Sequence, residues 1–362
     1  MFIYLFIVAL ILIFKLDLTR YKNLIVYRNK ENTYSNILFV IILFISTLRG
    51  SSVGTDTLGY MLSYYDMANY SFSDIFIKYG DYLGYYLPCK AFSLFNAPLQ
   101  IWLGFVSGFY LLSIWKLINR FSTDKLFSIL CFFLMGAYSF SLAGLKQTVA
   151  MASMIFAFLA LYDKKYLRMA FFIIWAYFSH MSSLIFLFAI PIFFVKGMKS
   201  FYKMLIVSIL IIIFSYRTIL IYFTEAINSD RYMTYLEDEK VYSAVTFIFY
   251  LVLFFIAFLN KKSYDYKYEN ESKVFFALSA LCVSFQTFSF VSASAFRLSL
   301  YYLPFFALIL PNSVAYCNDK AKKQIIKLVL GLMIIFFFVY TNRNGSSTVP
   351  YTFIWEDPPF LK

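Results

Sequence analysis

Side chains that could do chemistry are few in this chain, and they occur in four short stretches and the tail. They are Arg49, Asp56 and Tyr60 in RGSSVGTDTLGY, Lys146 and Gln147 in GLKQTVA, the single histidine His180, Arg297 and Tyr301 in SAFRLSLYYLP, and Arg343 near the C-terminus. Arginine and lysine bind phosphate oxygens, and the arginine fork donates two hydrogen bonds at once. Histidine and aspartate are suited to accept a proton near neutral pH. The set predicts an anion site with a general base.

Each residue taken alone also has a structural explanation. An arginine at the end of a membrane helix can snorkel to the interface, and a lone histidine can simply satisfy a hydrogen bond. The letters GTDT form a good turn, because glycine tolerates positive φ and aspartate caps turns and helices. Several cations and one histidine are expected together on one side of the membrane, and this joint occurrence favours the anion site.

The elements that position these residues are membrane helices. The chain has 362 residues, is 62% hydrophobic and 14% charged, and has a mean hydropathy of +0.72. Soluble domains have roughly 45–50% apolar and about 25% charged residues. Apolar runs of helical rather than strand length predict an all-α polytopic bundle of about 11–12 segments. We expect them at 2–14, 35–49, 98–116, 126–143, 147–162, 168–180, 182–195, 204–223, 241–260, 273–291, 298–316 and 325–341.

The net charge of +13 would indicate nucleic-acid binding in a soluble protein. Here the distribution of basic residues between the loops explains it. If residues 15–34 are cytoplasmic, the cytoplasmic loops hold 22 of the 32 basic residues and only 8 of the 19 acidic ones. This asymmetry follows the positive-inside rule. It predicts that both termini and all the candidate residues face the outside, with no nucleic-acid partner.

The whole chain, 1–362, is expected to be one integral membrane domain with external loops at 50–98 and 224–240 and an external tail at 342–362. Residues 168–195 are flanked by basic residues on both sides, which predicts a hairpin with two arms of about 13 residues each. Such arms are short for a ~30 Å bilayer at ~1.5 Å per residue. His180 would lie at the outer apex.

No cofactor or metal is expected. The sequence contains no CxxC, no HExxH and no clustered carboxylates of the kind that bind metals, and it has no Walker A sequence for ATP hydrolysis.

Four motifs, in order along the chain, resemble the EpsG-type branch of the O-antigen and capsule polymerases, the Wzy class. They are R-x-x-x-x-GTDT-x-x-Y at 49–60, KQ-x-x-A at 146–150, FSHxSSLI at 178–185 and FRxxxY at 296–301. Members of that class often carry arginine where this chain has Lys146.

The resemblance implies a metal-independent glycosyltransferase of the membrane GT-C type. It would join oligosaccharide repeat units carried on undecaprenyl diphosphate, at the outer face of the bacterial inner membrane. Arg297, Arg49 and Lys146 would neutralise the departing diphosphate. His180 or Asp56 would act as the base, or Asp56 would bind acceptor hydroxyls. Gln147, Tyr60, Tyr301 and Arg343 would complete substrate binding.

Two other functions compete with this interpretation. An O-antigen ligase uses the same donor but a lipid A core acceptor, and the GTDT segment favours the polymerase. A lipid-linked oligosaccharide flippase would need a polar path across both leaflets, and no internal repeat of the kind found in many transporters is evident. The sequence leaves open whether a chain-length regulator is a partner.

Overall fold

The structure is a computed structural model that describes residues 1–194, 244–290, 293–341 and 347–357, together with scattered positions from 203 to 222. In these ranges it is helical and contains no β-strand. The α-helices are α1 (Phe2–Leu18), α2 (Leu24–Thr47), α3 (Thr57–Asp66), α4 (Phe72–Tyr79), α5 (Leu83–Leu94), α6 (Leu99–Phe121), α7 (Lys125–Leu134), α8 (Ala137–Ala143), α9 (Leu145–Tyr162), α10 (Tyr166–Ser179), α11 (Ala244–Leu259), α12 (Lys262–Lys267), α13 (Glu269–Gln286), α14 (Phe306–Val314) and α15 (Asp319–Thr341). The 3₁₀ helices are Met67–Asn69, Gly80–Tyr82, Met181–Phe193, Thr287–Phe290, Ala293–Tyr301, Leu303–Phe305 and Ile354–Glu356.

The chain forms two compact units. The first comprises 1–184 and 333–362, and the second comprises 185–332. In the first unit α9 is the central helix, since every residue from Gln147 to Leu161 is buried. Helices α6 and α10 both pack against α9, and α2 packs against α6. A helix that is apolar on all sides is expected at the centre of a bundle.

The second unit is built around α13, whose residues from Val274 to Gln286 are all buried. Helices α11 and α14 and the 3₁₀ helix Ala293–Tyr301 pack against it. Its interior is aromatic: the ring of Tyr302 stacks on the rings of Phe186 and Phe285, with centroids 5.3 and 5.4 Å away.

The prediction of an all-α polytopic membrane bundle is confirmed. Within the described residues, α6, α9, α15 and the stretch Glu269–Phe290 are long and apolar enough to cross a membrane, and the bent pair α7 and α8 makes a fifth span if it is one segment. Shorter apolar helices lie at Tyr166–Ser179, Met181–Phe193, Ala244–Leu259 and Leu303–Val314. The number of 11–12 segments stays a prediction.

Several of the expected segments differ from the structure in their bounds, and two of these differences have a clear local cause. Helix α2 begins at Leu24 and not at residue 35, because the Asn23 side chain caps it by accepting hydrogen bonds from the backbone N–H groups of Ile25 and Val26. The expected segment 126–143 is two helices bent by 52°, broken at Gly136, whose φ of +94° ends the helical path.

Residues 50–98, expected as one large loop, form α3, α4 and α5. They are ordered by a buried cluster that includes Met61, Ile75 and Tyr85 and packs against Trp102 of α6. On either side of His180 lie a 14-residue and a 13-residue helix, each as short as expected. The expected loop 224–240 lies outside the described residues.

Candidate active site

Arg49 follows the end of α2 and is completely buried. Its Nη1 donates to the carbonyl oxygen of Ser46 and, at 3.4 Å, to Ser107 Oγ. Its Nε and Nη2 have no hydrogen-bond partner among the described residues. The phenols of Tyr4, Tyr85, Tyr138 and Tyr351 lie close enough to the guanidinium to interact with it electrostatically. Arg49 therefore carries donors, in an aromatic environment, that an anionic oxygen could accept.

The loop after Arg49 is shaped by Gly54 and Thr57. Gly54 has a φ of +101°, and a Cβ atom on it would lie 2.7 Å from the carbonyl oxygen of Leu142. Thr57 is buried, and its hydroxyl donates to the carbonyl oxygens of Val53 and Leu142 at 2.6 and 3.1 Å. The loop is thereby held against α8. Gly54 and Thr57 of the GTDT motif therefore have structural roles. Asp56, in contrast, is exposed, and its side chain makes no cap hydrogen bond on α3.

The C-terminal tail, residues 347–357, lies across the same loop. Its Phe353 pairs with Arg49 in an antiparallel bridge. Gly50 N–H donates to the carbonyl oxygen of Thr352 at 2.8 Å. Asp357, which is buried, accepts from the N–H of Ser51 at 2.8 Å and from its hydroxyl at 3.0 Å. The tail thus satisfies backbone groups that follow α2.

Lys146, in the first turn of α9, is surrounded by tyrosine rings. Its Nζ lies 3.8 Å from the ring centroid of Tyr82, 5.7 Å from that of Tyr86 and 5.8 Å from that of Tyr60. These distances are typical of cation–π contacts. Burial raises the pKa of the Tyr86 phenol, which therefore stays protonated at neutral pH. The rings hold a cation at this position without neutralising its charge.

His180 is the residue at which α10 ends. Its Nδ1 lies 2.7 Å from Ser182 Oγ, and its ring centroid lies 6.1 Å from that of Tyr82. Gly84 allows α5 to approach this end of α10, because a Cβ on it would meet Ser179 Oγ at 2.4 Å and the Ser179 nitrogen at 2.8 Å. The ring of Tyr82 thus contacts both Lys146 Nζ and the His180 ring.

Tyr85 connects this group with Arg49. Its ring centroid lies 5.5 Å from that of Tyr60 and 5.1 Å from that of Tyr86, and its hydroxyl accepts a 3.2 Å hydrogen bond from Trp102 Nε1. Tyr85 is also one of the phenols that interact electrostatically with Arg49. The first unit thus brings Lys146 and His180 into contact with one set of tyrosines, which we call the tyrosine cluster: Tyr60, Tyr82, Tyr85 and Tyr86.

The contacts described above do not include Gln147, Arg297 or Tyr301. Gln147 is buried in α9 beside Lys146. Arg297 and Tyr301 belong to the second unit, where Arg297 is half-buried and Tyr301 is buried. Arg343 lies outside the described residues.

An apolar crevice adjoins the tyrosine cluster. Its volume is about 180 Å³, and it lies between α5, α6, α9 and α10. Gly84 lines it together with aromatic side chains, among them Trp102, Phe171 and Trp175. Its walls suit a hydrocarbon chain.

The chain matches the EpsG family over residues 32–353. It belongs to the EpsG family. The match includes every candidate residue from Arg49 to Arg343, and the resemblance inferred from the four motifs is confirmed. No curated protein and no solved structure matches the chain.

Membership of the EpsG family, together with the apolar helices, makes this a multi-pass membrane protein of the polysaccharide-polymerase type. Two features of this EpsG protein were missed by reasoning from its sequence. Tyr82 is one of eight tyrosines between residues 50 and 98, and nothing in its neighbours distinguishes it. Asp357 is far from the loop in sequence, and it stands beside a second acidic residue, Glu356, so the sequence does not distinguish it.

Proposed function

We propose that this protein joins oligosaccharide repeat units carried on undecaprenyl diphosphate, acting as a polymerase at the outer face of the bacterial inner membrane. The observation that carries the proposal is the contact of Lys146 and His180 with the same ring, that of Tyr82. A cation that can bind a phosphate and a group that can take up a proton are then separated by a single side chain, that of Tyr82. Glycosyl transfer from a lipid diphosphate needs both.

The reaction has a defined flow of atoms. The acceptor hydroxyl oxygen attacks the anomeric carbon of the donor, the bond from that carbon to the diphosphate oxygen breaks, and the diphosphate leaves with the electron pair. Negative charge develops on the diphosphate as it leaves and must be stabilised. Preorganised hydrogen-bond donors stabilise such a charge best. We assign this role to Lys146 and to the Nε and Nη2 groups of Arg49, and the same role for Arg297 stays a prediction from the sequence.

Two groups are candidates for the base that takes the hydroxyl proton. For His180 Nε2 to accept a proton, Nδ1 must carry its own hydrogen and donate it to Ser182 Oγ, a contact of 2.7 Å. Asp56 is an exposed carboxylate one turn before Tyr60 and is the second candidate, either as the base or as an acceptor of hydrogen bonds from sugar hydroxyls. Tyr60 would then present a face for a sugar ring.

We propose that the apolar crevice receives the lipid. Its lining of tryptophan and phenylalanine is continuous with Gly84, two residues from Tyr82, so a polyprenyl chain in the crevice would bring its diphosphate towards Lys146. A nucleotide-sugar donor would have no use for such a crevice. We therefore propose that the partners are lipid-linked glycans in the bilayer, and we expect no metal requirement.

The experiment is complementation of a deletion strain with wild type, His180→Ala, Arg297→Ala or Lys78→Gln, followed by polysaccharide gels and immunoblots of the membrane. Lys78 is the matched control, a cation that lies 4.4 Å from another ring centroid, that of Tyr70. We expect polymer ladders from wild type and the control. We expect a single repeat unit from the deletion and from both site variants, at equal protein levels.

Other outcomes would decide against the proposal. Full-length polymer from both site variants would overturn the assigned roles. An unchanged ladder in the deletion strain would overturn the polymerase and favour a transporter. Polymer that accumulates on its lipid carrier without transfer to an acceptor would indicate a ligase.

A further inference from the structure

A second cavity, of about 330 Å³, lies at the other end of the first unit, where α6 and α9 end and α10 begins. Pockets for small ligands typically have volumes of about 300–1,000 Å³. Three cations line this one, Lys116, Arg120 and Arg168, against one carboxylate, Asp163. Its charge therefore favours an anionic ligand.

The cavity is far from the tyrosine cluster. Lys146 is in the first turn of α9, and Asp163 follows the last residue of that helix. At ~1.5 Å per residue the two are about 25 Å apart along the axis, close to the thickness of a bilayer core. The cavity therefore opens at the opposite membrane face from Lys146 and belongs to neither the diphosphate site nor the apolar crevice.

The single carboxylate in the cavity is already paired. Arg120 Nη2 lies 2.6 Å from one Asp163 oxygen, and Lys165 Nζ lies 3.6 Å from the other. The hydrogen bond from Arg120 holds the pKa of the Asp163 carboxyl below its ordinary value, so the group stays charged. Lys116 and Arg168 form no ion pair with a described residue. They lie 5.5 and 5.7 Å from the ring centroids of Phe156 and Phe172.

The start of α10 adds to the positive field. Its first turn contains no acidic residue, and Lys165 at its N-cap provides no side-chain hydrogen bond. An uncapped helix N-terminus presents backbone N–H groups and a partial positive charge, which together attract anions. Arg168, in that first turn, lines the cavity.

The rest of the lining is apolar. Phe156, Leu159 and Ala160 form one wall, and the Trp115 ring forms another, with its Nε1 donating to Asn36 Oδ1 at 2.9 Å. Tryptophan with an apolar body and a polar edge is typical of the membrane interface. A free phosphate would use the cations and leave these walls in water. A phosphodiester that carries acyl chains would use both.

We propose that this cavity binds the phosphodiester headgroup of an anionic phospholipid from the leaflet opposite the tyrosine cluster. Lys116 and Arg168 contact the phosphate, Arg120 is oriented by Asp163, and the apolar walls receive the first part of the acyl chains. Basic pockets between helices at this level are suited to such headgroups. The inference rests on the cavity and its charges and does not depend on the proposed polymerase activity.

The test is lipid binding to the purified full-length protein, measured by native mass spectrometry with phosphatidylglycerol and phosphatidylcholine. Because each nearby Lys or Arg contributes about 1 kcal/mol to the attraction of anionic lipid, Lys116→Gln and Arg168→Gln should each weaken phosphatidylglycerol binding about fivefold, and the double variant about 25-fold. Phosphatidylcholine binding should not change. Arg20→Gln is the matched control, an exposed cation outside the cavity, and should leave phosphatidylglycerol binding unchanged.

Three results would overturn the proposal. One is equal phosphatidylglycerol affinity in the double variant and wild type, and another is an equal loss in the control. The third is binding of inorganic phosphate as tightly as phosphatidylglycerol, which would make the ligand a soluble anion. Both side chains are exposed, so folding should be kept. If the double variant is not recovered, the two single variants decide the question.

Discussion

Tyr82 is the side chain on which the chemistry of the tyrosine cluster converges. Its ring is the nearest of three to Lys146 Nζ, at 3.8 Å, and it also faces His180. The contact with Lys146 depends on the ring face rather than on the hydroxyl. Tyr82 therefore acts as a positioning residue for a cation, and ring and hydroxyl can be separated by substitution.

Tyr82→Leu is expected to lower polymer yield about 5- to 30-fold, since a desolvated cation–π contact contributes about 1–2 kcal/mol. Tyr82→Phe keeps the ring face and should retain most of the yield. The measurement is polymer per unit of membrane protein, by quantitative immunoblot. Tyr70→Leu is the control, because Tyr70 holds Lys78 in a similar contact outside the cluster. Equal yields from Tyr82→Leu and Tyr82→Phe would contradict the role of the ring.

At the scale of elements, two close approaches assemble the site. Helix α5 meets the end of α10 at Gly84, and the loop after α2 meets α8 at Gly54. The C-terminal tail then crosses that loop through Phe353 and Asp357. Each approach joins segments that are distant in sequence, so the position of Arg49 and His180 depends on packing that a side chain at either glycine would disturb.

Gly84→Ala is expected to destabilise the protein by about 1–3 kcal/mol, the usual cost of overpacking, and to lower polymer yield. The reason is the Cβ that would lie 2.8 Å from the backbone nitrogen of Ser179 and from the carbonyl oxygen of Trp175, neither of which can rotate away. The measurement is the thermal unfolding midpoint in detergent, alongside polymer yield.

Gly59→Ala provides the control for that substitution, because no described residue outside its own turn of α3 lies within 4 Å of a Cβ on Gly59. Adding Ser179→Ala to Gly84→Ala removes only the Oγ contact and should restore little of the lost stability. Unchanged stability and yield in Gly84→Ala would show that α5 and α10 need not approach so closely.

At the scale of the whole molecule, the distribution of charge along the chain predicts its orientation. The tyrosine cluster lies at one end of α9, and the basic cavity lies at the other. The excess of Lys and Arg in alternate loops predicts that the cavity faces the cytoplasm and the cluster faces outside. Both proposals place their ligands accordingly.

Cysteine labelling tests this orientation. In a Cys317→Ser background, where the three remaining cysteines are buried, Ser73→Cys should react with a membrane-impermeant maleimide in intact spheroplasts. Asn29→Cys should react only after the membrane is broken. Both positions are exposed, so accessibility from water is the only variable. Labelling of Asn29→Cys in intact spheroplasts, with Ser73→Cys protected, would show that the orientation is the opposite of the predicted one.

The sequence by itself determined the membrane class, the helical fold, the family and the residue types of the site, because run length, composition and motif spacing are local properties. It also placed the start of α6 and the end of α15 within one residue. It missed the start of α2, because Asn23 caps a helix whose next turns, residues 28–36, are polar, and hydropathy assigns such a stretch to a loop.

Only the tertiary structure decided which of those residues meet. Tyr82 contacts Lys146 and His180 because the 3₁₀ helix Gly80–Tyr82 and α5 pack against α10, which packs against α9. Asp357 meets Ser51 across 306 positions of the chain. The tertiary structure also decided that Gly54 and Thr57 of the GTDT motif are buried and that Asp56 is exposed. These outcomes depend on packing between distant segments, which no short pattern of residues encodes.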